Sequence, residues 1–158
     1  MEALPKEKIF AVYKPKGPTS HDIINQLRTM TGEKTIGHAG TLDPLASGVL
    51  VVAVGREATK RLKEIVGQEK EYVAKIKFGW ESSTDDEEGV KTDTGSSRVV
   101  AFDAIEKALG GFVGEIEQTP PFYSAVKIQG ESAYRWMRRG QKPELKTRKV
   151  LIKKIEIL

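Results

Sequence analysis

One carboxylate in this chain of 158 residues stands in a setting suited to chemistry. Asp43 lies in a loop between Gly40 and Gly48, directly before the apolar run 49–54. Glycines let a ligand approach the backbone closely, and Pro44 restricts the turn that holds Asp43. Rigid loops on a scaffold often carry catalytic groups, but Asp-Pro is also a common turn dipeptide. The stretch alone leaves both a catalytic carboxylate and a turn residue open.

Other chemistries find less support in the sequence. There is no cysteine, and there are only two histidines, His21 and His38, so a disulfide framework, a thiol nucleophile and a zinc site are not indicated. The phosphate-loop, dinucleotide-binding, zinc-protease and nucleophile-elbow motifs do not occur. We therefore expect an activity that needs no bound transition metal.

The composition is typical of a globular protein, with 39% hydrophobic and 30% charged residues. The length predicts one domain. No apolar run approaches the length of a membrane-spanning helix, and the first residues do not resemble a signal peptide. From these features we expect a cytoplasmic protein that does not bind membranes; a monomer is our expectation for its oligomeric state, although the sequence does not establish it.

Charge is unevenly distributed, although the net charge is only +4. Residues 127–158 contain ten basic and three acidic residues, a net charge of +7. Residues 81–93 contain six acidic residues and one lysine, a net charge of −5. The basic segment is either a surface for a polyanion or an ordinary solvated face, and charge alone does not decide between them.

Apolar periodicity predicts an α+β fold with a largely antiparallel sheet and flanking helices. A helix is predicted from an N-cap at Thr19 or Ser20 to a stop at Gly32. Loops are expected over 33–48 and in the acidic segment up to Gly95, and a turn at Gln129-Gly130. The other predicted elements are strands at 9–12, 49–54, 72–78, 124–128 and 150–158, and helices at 58–66, 103–112 and 133–139.

Residues 38–50 resemble the central motif of the TruB family of tRNA pseudouridine synthases. Three further stretches agree with the family in the same order: Lys14-Pro15-x-Gly17-x-Thr19-Ser20, Glu69-Lys70-x-Tyr72 followed by Gly79, and Gln118-x-Pro120-Pro121-x-Tyr123-Ser124-Ala125-x-Lys127 with Gly130 and Tyr134. The resemblance covers the chain from about Ile9 to its end. It implies the pseudouridine synthase catalytic fold and the isomerisation of uridine to pseudouridine in the T-arm of tRNA, without a cofactor.

The resemblance also implies roles for two residues in catalysis. Asp43 resembles the family's nucleophile, which either attacks the ribose C1′ or removes its C2′ proton; the sequence does not choose between these routes. Tyr72 resembles the tyrosine that stacks on the target base, although its pattern is also that of an inward-facing strand residue.

Further residues resemble RNA-binding or supporting positions, each with an ordinary alternative. His38 resembles a histidine that packs beside the flipped uridine, or it is a histidine with one backbone hydrogen bond. Lys14 is placed with the binding residues, and Lys14 and Thr19 resemble residues that support the catalytic loop, with a helix cap at Thr19 or Ser20 as the alternative. Asp86 aligns with an aspartate that orients an arginine, or it belongs to a solvated acidic loop. The predicted phosphate contacts, each also an ordinary surface charge, are Lys127, Arg135, Arg138 and Arg139.

Family members continue with a Lys-Gly-Thr-Tyr-Ile-Arg motif, whose arginine pairs with the catalytic aspartate, and then with an RNA-binding region. Neither occurs in this sequence. We therefore expect residues 1–158 to be a catalytic domain truncated before that motif, with tRNA and a complementing C-terminal segment as partners. Three functions stay open: a tRNA pseudouridine synthase, a catalytically incomplete RNA-binding module, and a member of the dyskerin-type branch that acts on guide-selected sites.

Overall fold

A computed structural model describes residues 8–95 and 99–158. The chain separates into two compact units, Met1–Val73 and Ala74–Leu158. The expectation that residues 1–158 form one domain stays a prediction. Within the described ranges, no helix is long and apolar enough to cross a membrane.

The first unit is a three-stranded antiparallel sheet with helices on its two faces. Its elements are β1 (Lys8–Lys14), α1 (Ser20–Thr31), β2 (Ile36–Ala39), β3 (Gly48–Val54), α2 (Arg56–Lys60) and α3 (Leu62–Val66). The strand order is β1-β3-β2, so the apolar strand β3 lies in the centre. Strand side chains alternate between faces, and β3 therefore contributes to a core on each side. Leu50, Val52 and Val54 pack with α1, whereas Ala53 packs with Ala58 and Leu62.

Helix α1 forms where the sequence predicts it, because residues at both of its ends favour a helix cap. Thr19 is the N-cap, and its hydroxyl accepts a hydrogen bond from the backbone N–H of Asp22. The Asp22 carboxylate accepts in return from the Thr19 backbone, which completes a capping box. Gly32 ends the helix in the left-handed conformation. The apolar side of the helix, Ile23, Ile24 and Leu27, is buried against the sheet.

The second unit contains three two-stranded antiparallel pairs and two helices. Its elements are β4 (Trp80–Ser82), β5 (Lys91–Asp93), α4 (Phe102–Gly110), β6 (Gly114–Gln118), β7 (Lys127–Ile128), β8 (Glu131–Ser132), α5 (Ala133–Arg138) and β9 (Arg148–Ile152). The pairs are β4-β5, β6-β9 and β7-β8. Every strand pair in the two described ranges is antiparallel, which confirms the predicted α+β class. The three-stranded sheet of the first unit and the three pairs of the second make four separate sheets, where the sequence predicts one.

One predicted strand is wrong. The alternating segment 72–78 forms no strand, and its apolar residues Tyr72, Val73, Ile76 and Phe78 are exposed. Alternation indicates one face suited to burial, but a strand also needs a neighbour with which to exchange backbone hydrogen bonds. Within the described part of the chain, this segment has no such neighbour.

Other predictions are correct in type but differ in extent. Strand β2 lies inside the predicted loop 33–48, and β4 and β5 pair at the two ends of the acidic segment. The predicted helix 58–66 is two short helices separated at Arg61, and the strand predicted at 150–158 ends at Ile152. Helix α4 forms, but no residue on it is buried. The turn at Gln129-Gly130 is confirmed, with both residues at positive φ.

Candidate active site

The loop that carries Asp43 lies at one end of the three-stranded sheet. Strand β2 ends at Ala39 and β3 begins at Gly48, so residues 40–47 connect two neighbouring antiparallel strands. Lys14, the last residue of β1, pairs with Gly48. The loop 15–19, which leads from β1 into α1, therefore starts at the same end of the sheet. The two loops are joined directly, since the Gly17 N–H donates to the Pro44 carbonyl at 2.8 Å.

Lys14 is the most buried charged side chain in the described residues, with an exposed fraction of 0%. Its ammonium donates to the carbonyl oxygens of Pro15, Pro18 and Pro44 at 3.0, 2.8 and 3.3 Å. An ammonium has three donors, and these three acceptors satisfy all of them. The charged end of Lys14 is thus used inside the protein, and its placement among the RNA-binding residues stays a prediction. Through these hydrogen bonds Lys14 supports the loop.

Asp43 itself faces solvent, at the first position of a turn. The Ala46 N–H donates to the Asp43 carbonyl at 3.0 Å, and Pro44 occupies the next position of that turn, where its fixed φ is favourable. Within 8–95 and 99–158, the Asp43 carboxylate has no hydrogen-bond or ion-pair partner. The backbone is thus fixed while the carboxylate stays available to react.

Ser20 contacts the same loop, a role that the sequence pattern did not reveal. It is the first residue of α1 and only 2% exposed. Its hydroxyl donates to the Leu42 carbonyl at 3.0 Å and accepts from the Leu42 N–H at 2.9 Å. The sequence offered Ser20 only as an alternative helix cap, because nothing local connects it to a residue in the next loop.

His38 lies on β2, paired with Val52 of the central strand, and is half-buried. Its Nδ1 contacts the carbonyl oxygen of Gly40. A carbonyl can only accept, so Nδ1 carries the proton in this contact. The ring is therefore attached to the first residue of the Asp43 loop, and its predicted role beside a flipped base stays a prediction.

Tyr72 is not brought into contact with Asp43. It lies in a segment without regular secondary structure and is 73% exposed, and its hydroxyl has no hydrogen-bond partner within the described ranges. An exposed ring of this kind can stack on a base, but its stacking role stays a prediction.

Asp86 lies in the second unit, between β4 and β5. Its carboxylate accepts hydrogen bonds from the Thr84 hydroxyl and from the Glu88 N–H. Partial burial alone would raise the pKa of Asp86. The two hydrogen bonds, a further one from the Gly89 N–H and the charge of Lys91 lower it more strongly, so the pKa lies below its usual value. Asp86 therefore holds its own loop together, and its predicted role toward an arginine stays a prediction.

The predicted phosphate contacts lie on β7 and at α5, within the second unit. Lys127, Arg135 and Arg138 are exposed, and the Arg138 guanidinium lies 5.8 Å from the centre of the Tyr134 ring. Arg139 differs, because it forms a two-point ion pair with Glu131. This pair lowers the pKa of Glu131 through its hydrogen bonds from Arg139. It also reduces the charge that Arg139 can offer to a phosphate.

No group of three or more potential metal ligands occurs within the part of the chain that the structure describes. The fold and the loop define an α+β protein whose clearest chemical feature is one exposed carboxylate on a loop that hydrogen bonds hold in place. Residues 28–158 match the family described as TruB family pseudouridylate synthase (N terminal domain). The chain belongs to this family.

Curated relatives agree over nearly the whole chain. A tRNA pseudouridine synthase B from Mycobacterium leprae (strain TN) is 45% identical over 150 residues, which is 95% of this chain and 47% of the relative. One from Rhodospirillum rubrum is 47% identical over 148 residues, 94% of this chain and 47% of the relative. The chain thus spans about half the length of the curated relatives that it matches.

Solved structures also match, and two of them are the following. A chain in a structure titled "Crystal Structure of a Cbf5-Nop10-Gar1 Complex" is 28% identical, with a TM-score of 0.49, over 77% of this chain and 31% of that one. A chain in "Structure of H/ACA RNP bound to a substrate RNA containing 2'-deoxyuridine" is 25% identical, with a TM-score of 0.47, over 80% and 35%.

Proposed function

We propose that this chain is the catalytic part of an enzyme that isomerises uridine to pseudouridine in the T-arm of tRNA, with Asp43 as the nucleophile. One observation carries the proposal: the Asp43 carboxylate is exposed and without a partner in the described ranges, while the backbone on both sides of it is held. Nucleophilic catalysis needs this combination of a reactive group and a fixed position.

The reaction exchanges one bond to the ribose for another. The bond between N1 of uracil and C1′ breaks, the base turns, and a bond between C5 and C1′ forms, while a proton moves from C5 to N1. The Asp43 carboxylate has two routes: it attacks C1′ and leaves again, or it removes the C2′ proton and returns it. Neither route changes the oxidation state overall, so no redox cofactor is required.

A base inside an RNA stack cannot reach such a carboxylate, so the target uridine must be turned out. We propose that the exposed ring of Tyr72 stacks on the extruded base and that His38 packs beside it. The exposed charges of Lys127, Arg135 and Arg138 are proposed to contact phosphates, which positions RNA without reading its sequence. We propose that this activity is cytoplasmic.

The test is tritium release from a T-arm stem-loop that carries uridine labelled at C5. Asp43→Asn keeps the shape of the side chain but removes its anion, so we expect release to fall at least about 1,000-fold, while the Kd for RNA changes less than about twofold. Asp103→Asn, which changes an exposed aspartate in the first turn of α4, is the matched control and should keep full activity.

Three results are distinguishable in this experiment. Release by the chain that is lost in Asp43→Asn supports the enzyme. RNA binding without any release favours the alternative, an RNA-binding module without isomerase activity. Release by Asp43→Asn within tenfold of the unmodified chain would remove Asp43 from the mechanism.

A further inference from the structure

The contact between Ser20 and Leu42 uses a single hydroxyl for two backbone groups. Ser20 Oγ accepts the Leu42 N–H at 2.9 Å and donates to the Leu42 carbonyl at 3.0 Å. In a sheet, a neighbouring β-strand would form these two hydrogen bonds, whereas here one serine hydroxyl forms both. Leu42 therefore has both of its backbone hydrogen-bonding groups fixed by the first residue of a helix.

Leu42 directly precedes Asp43, and Pro44, which directly follows, is held as well. The Pro44 carbonyl accepts from the Gly17 N–H and from the Lys14 ammonium. The Leu42 side chain also packs against the core between α1 and the sheet. Asp43 is therefore held from both sides, and its own side-chain torsions are its main remaining freedom.

We propose that Ser20 is a positioning residue for the reaction of Asp43, acting through the backbone of Leu42. The inference rests on the proposed function, because it assigns Ser20 to the step that Asp43 performs. Ser20 is only 2% exposed and its hydroxyl is used by Leu42, so it does not touch the substrate. Its contribution is the rigidity and the placement of the residue before the carboxylate.

Loss of the hydroxyl affects the loop more than the helix. Ser20→Ala leaves the N–H and carbonyl of Leu42 without their partner, and the loop must shift to find water or another group. A displacement of about 1 Å at a reacting group costs on the order of 100-fold in rate. RNA binding does not depend on this precision, because phosphate contacts are made elsewhere. The expected result is a defect in kcat with little change in KM.

Thr19→Ala is the matched control. Thr19 is the neighbouring residue and caps the same helix through Asp22, but it makes no hydrogen bond to the loop 40–47. This variant weakens the start of α1 without touching Leu42. A defect caused only by a less stable helix would appear in Thr19→Ala as well as in Ser20→Ala.

The experiment compares the unmodified chain, Ser20→Ala and Thr19→Ala in two measurements. The first is tritium release from the T-arm stem-loop, analysed for kcat and KM. The second is hydrogen exchange of the Leu42, Ala46 and Gly17 amides, which requires no RNA. For Ser20→Ala we expect kcat to fall by about 10- to 100-fold with KM within twofold, and the loop amides to exchange at least about tenfold faster. For Thr19→Ala we expect neither change.

Equal kcat values for Ser20→Ala and Thr19→Ala, or unchanged exchange of Leu42, would overturn the proposal. If Ser20→Ala does not fold, Ser20→Cys replaces it, because a thiol fills similar space and hydrogen-bonds only weakly. If the unmodified chain releases no tritium even when a complementing C-terminal segment is supplied, the proposed function fails. The exchange data then decide separately whether Ser20 holds the loop, and unchanged exchange again overturns its positioning role.

Discussion

The ammonium of Lys14 donates a hydrogen bond to the carbonyl oxygen of Pro44 at 3.3 Å, across thirty positions of sequence. The same ammonium binds the carbonyls of Pro15 and Pro18, so one side chain joins the end of β1, the start of α1 and the Asp43 loop. A buried cation is costly unless its donors are satisfied, and here three carbonyl dipoles satisfy them. The loop and the lysine therefore stabilise each other.

Lys14→Met should destabilise the protein by about 2–3 kcal/mol, because it fills similar space but leaves three carbonyls without their donor. Urea denaturation measures this difference. Lys60→Met is the control: Lys60 pairs with Glu57 on the surface, and both side chains are more than half exposed, so the change should stay within about 0.5 kcal/mol. Equal urea midpoints for the two variants would contradict the supporting role of Lys14.

A second prediction concerns pH and the start of α1. Hydrogen bonds from the Thr19 hydroxyl and backbone N–H hold the pKa of Asp22 below its ordinary value. A lowered pKa means that the stabilisation is fully present above the unfolded value, about 3.9, and is lost as the pH falls through the lower folded value. We expect the unmodified chain to be more stable than Asp22→Asn at pH 7, and the difference to shrink below about pH 4. Urea midpoints at pH 7, 5, 4 and 3 measure it; a difference that grows on acidification would contradict the assignment.

How far the sequence predicts this structure depends on whether a signal is local. Helix α1 is predictable because Thr19, Asp22 and Gly32 carry its limits within the segment itself. Strand β3 is predictable because its apolar run is continuous. Strand β2 is missed because Gly37 and the nearby glycines indicate a loop, and its strand form depends on pairing with β3.

The same distinction between local and long-range signals applies to the candidate active site. The sequence is enough to select Asp43 as a candidate catalytic residue, because its loop and the family motif are both contiguous in sequence. The contacts that hold it, Lys14 to Pro44 and Ser20 to Leu42, connect positions thirty and twenty-two residues apart. No periodicity encodes such contacts, since they depend on which loops meet at one end of the sheet. The wrong strand at 72–78 has a related cause, because alternation predicts a suitable face but not a partner.

A third prediction concerns metals. The proposed reaction has no net redox change and uses a carboxylate, so tritium release should persist after dialysis against EDTA. Mg²⁺ that only folds the RNA must be controlled for, which a stem-loop folded in monovalent salt achieves. Loss of release on chelation that one transition metal alone restores would contradict carboxylate chemistry without a metal.

The last prediction concerns the exposed cations at α5. Arg135 and Arg138 carry charges that face solvent, whereas Arg139 is paired with Glu131. Each phosphate contact contributes about 0.7–0.9 to the slope of log K against log salt, because a bound counterion is released. We expect the Arg135→Ala, Arg138→Ala double variant to bind a T-arm stem-loop more weakly and to lower this slope by about 1–2.

Arg139→Ala is the internal control for that measurement. Its charge is already partly neutralised by Glu131, so removing it should change the slope by less than half the change in the double variant. Tyr72→Ala should leave the slope unchanged, because stacking releases no counterions. Fluorescence anisotropy at several salt concentrations gives all four slopes, and we expect a Kd near the micromolar range that electrostatic association reaches. A flat salt response, or an unchanged slope in the double variant, would show that the basic segment is only a solvated face.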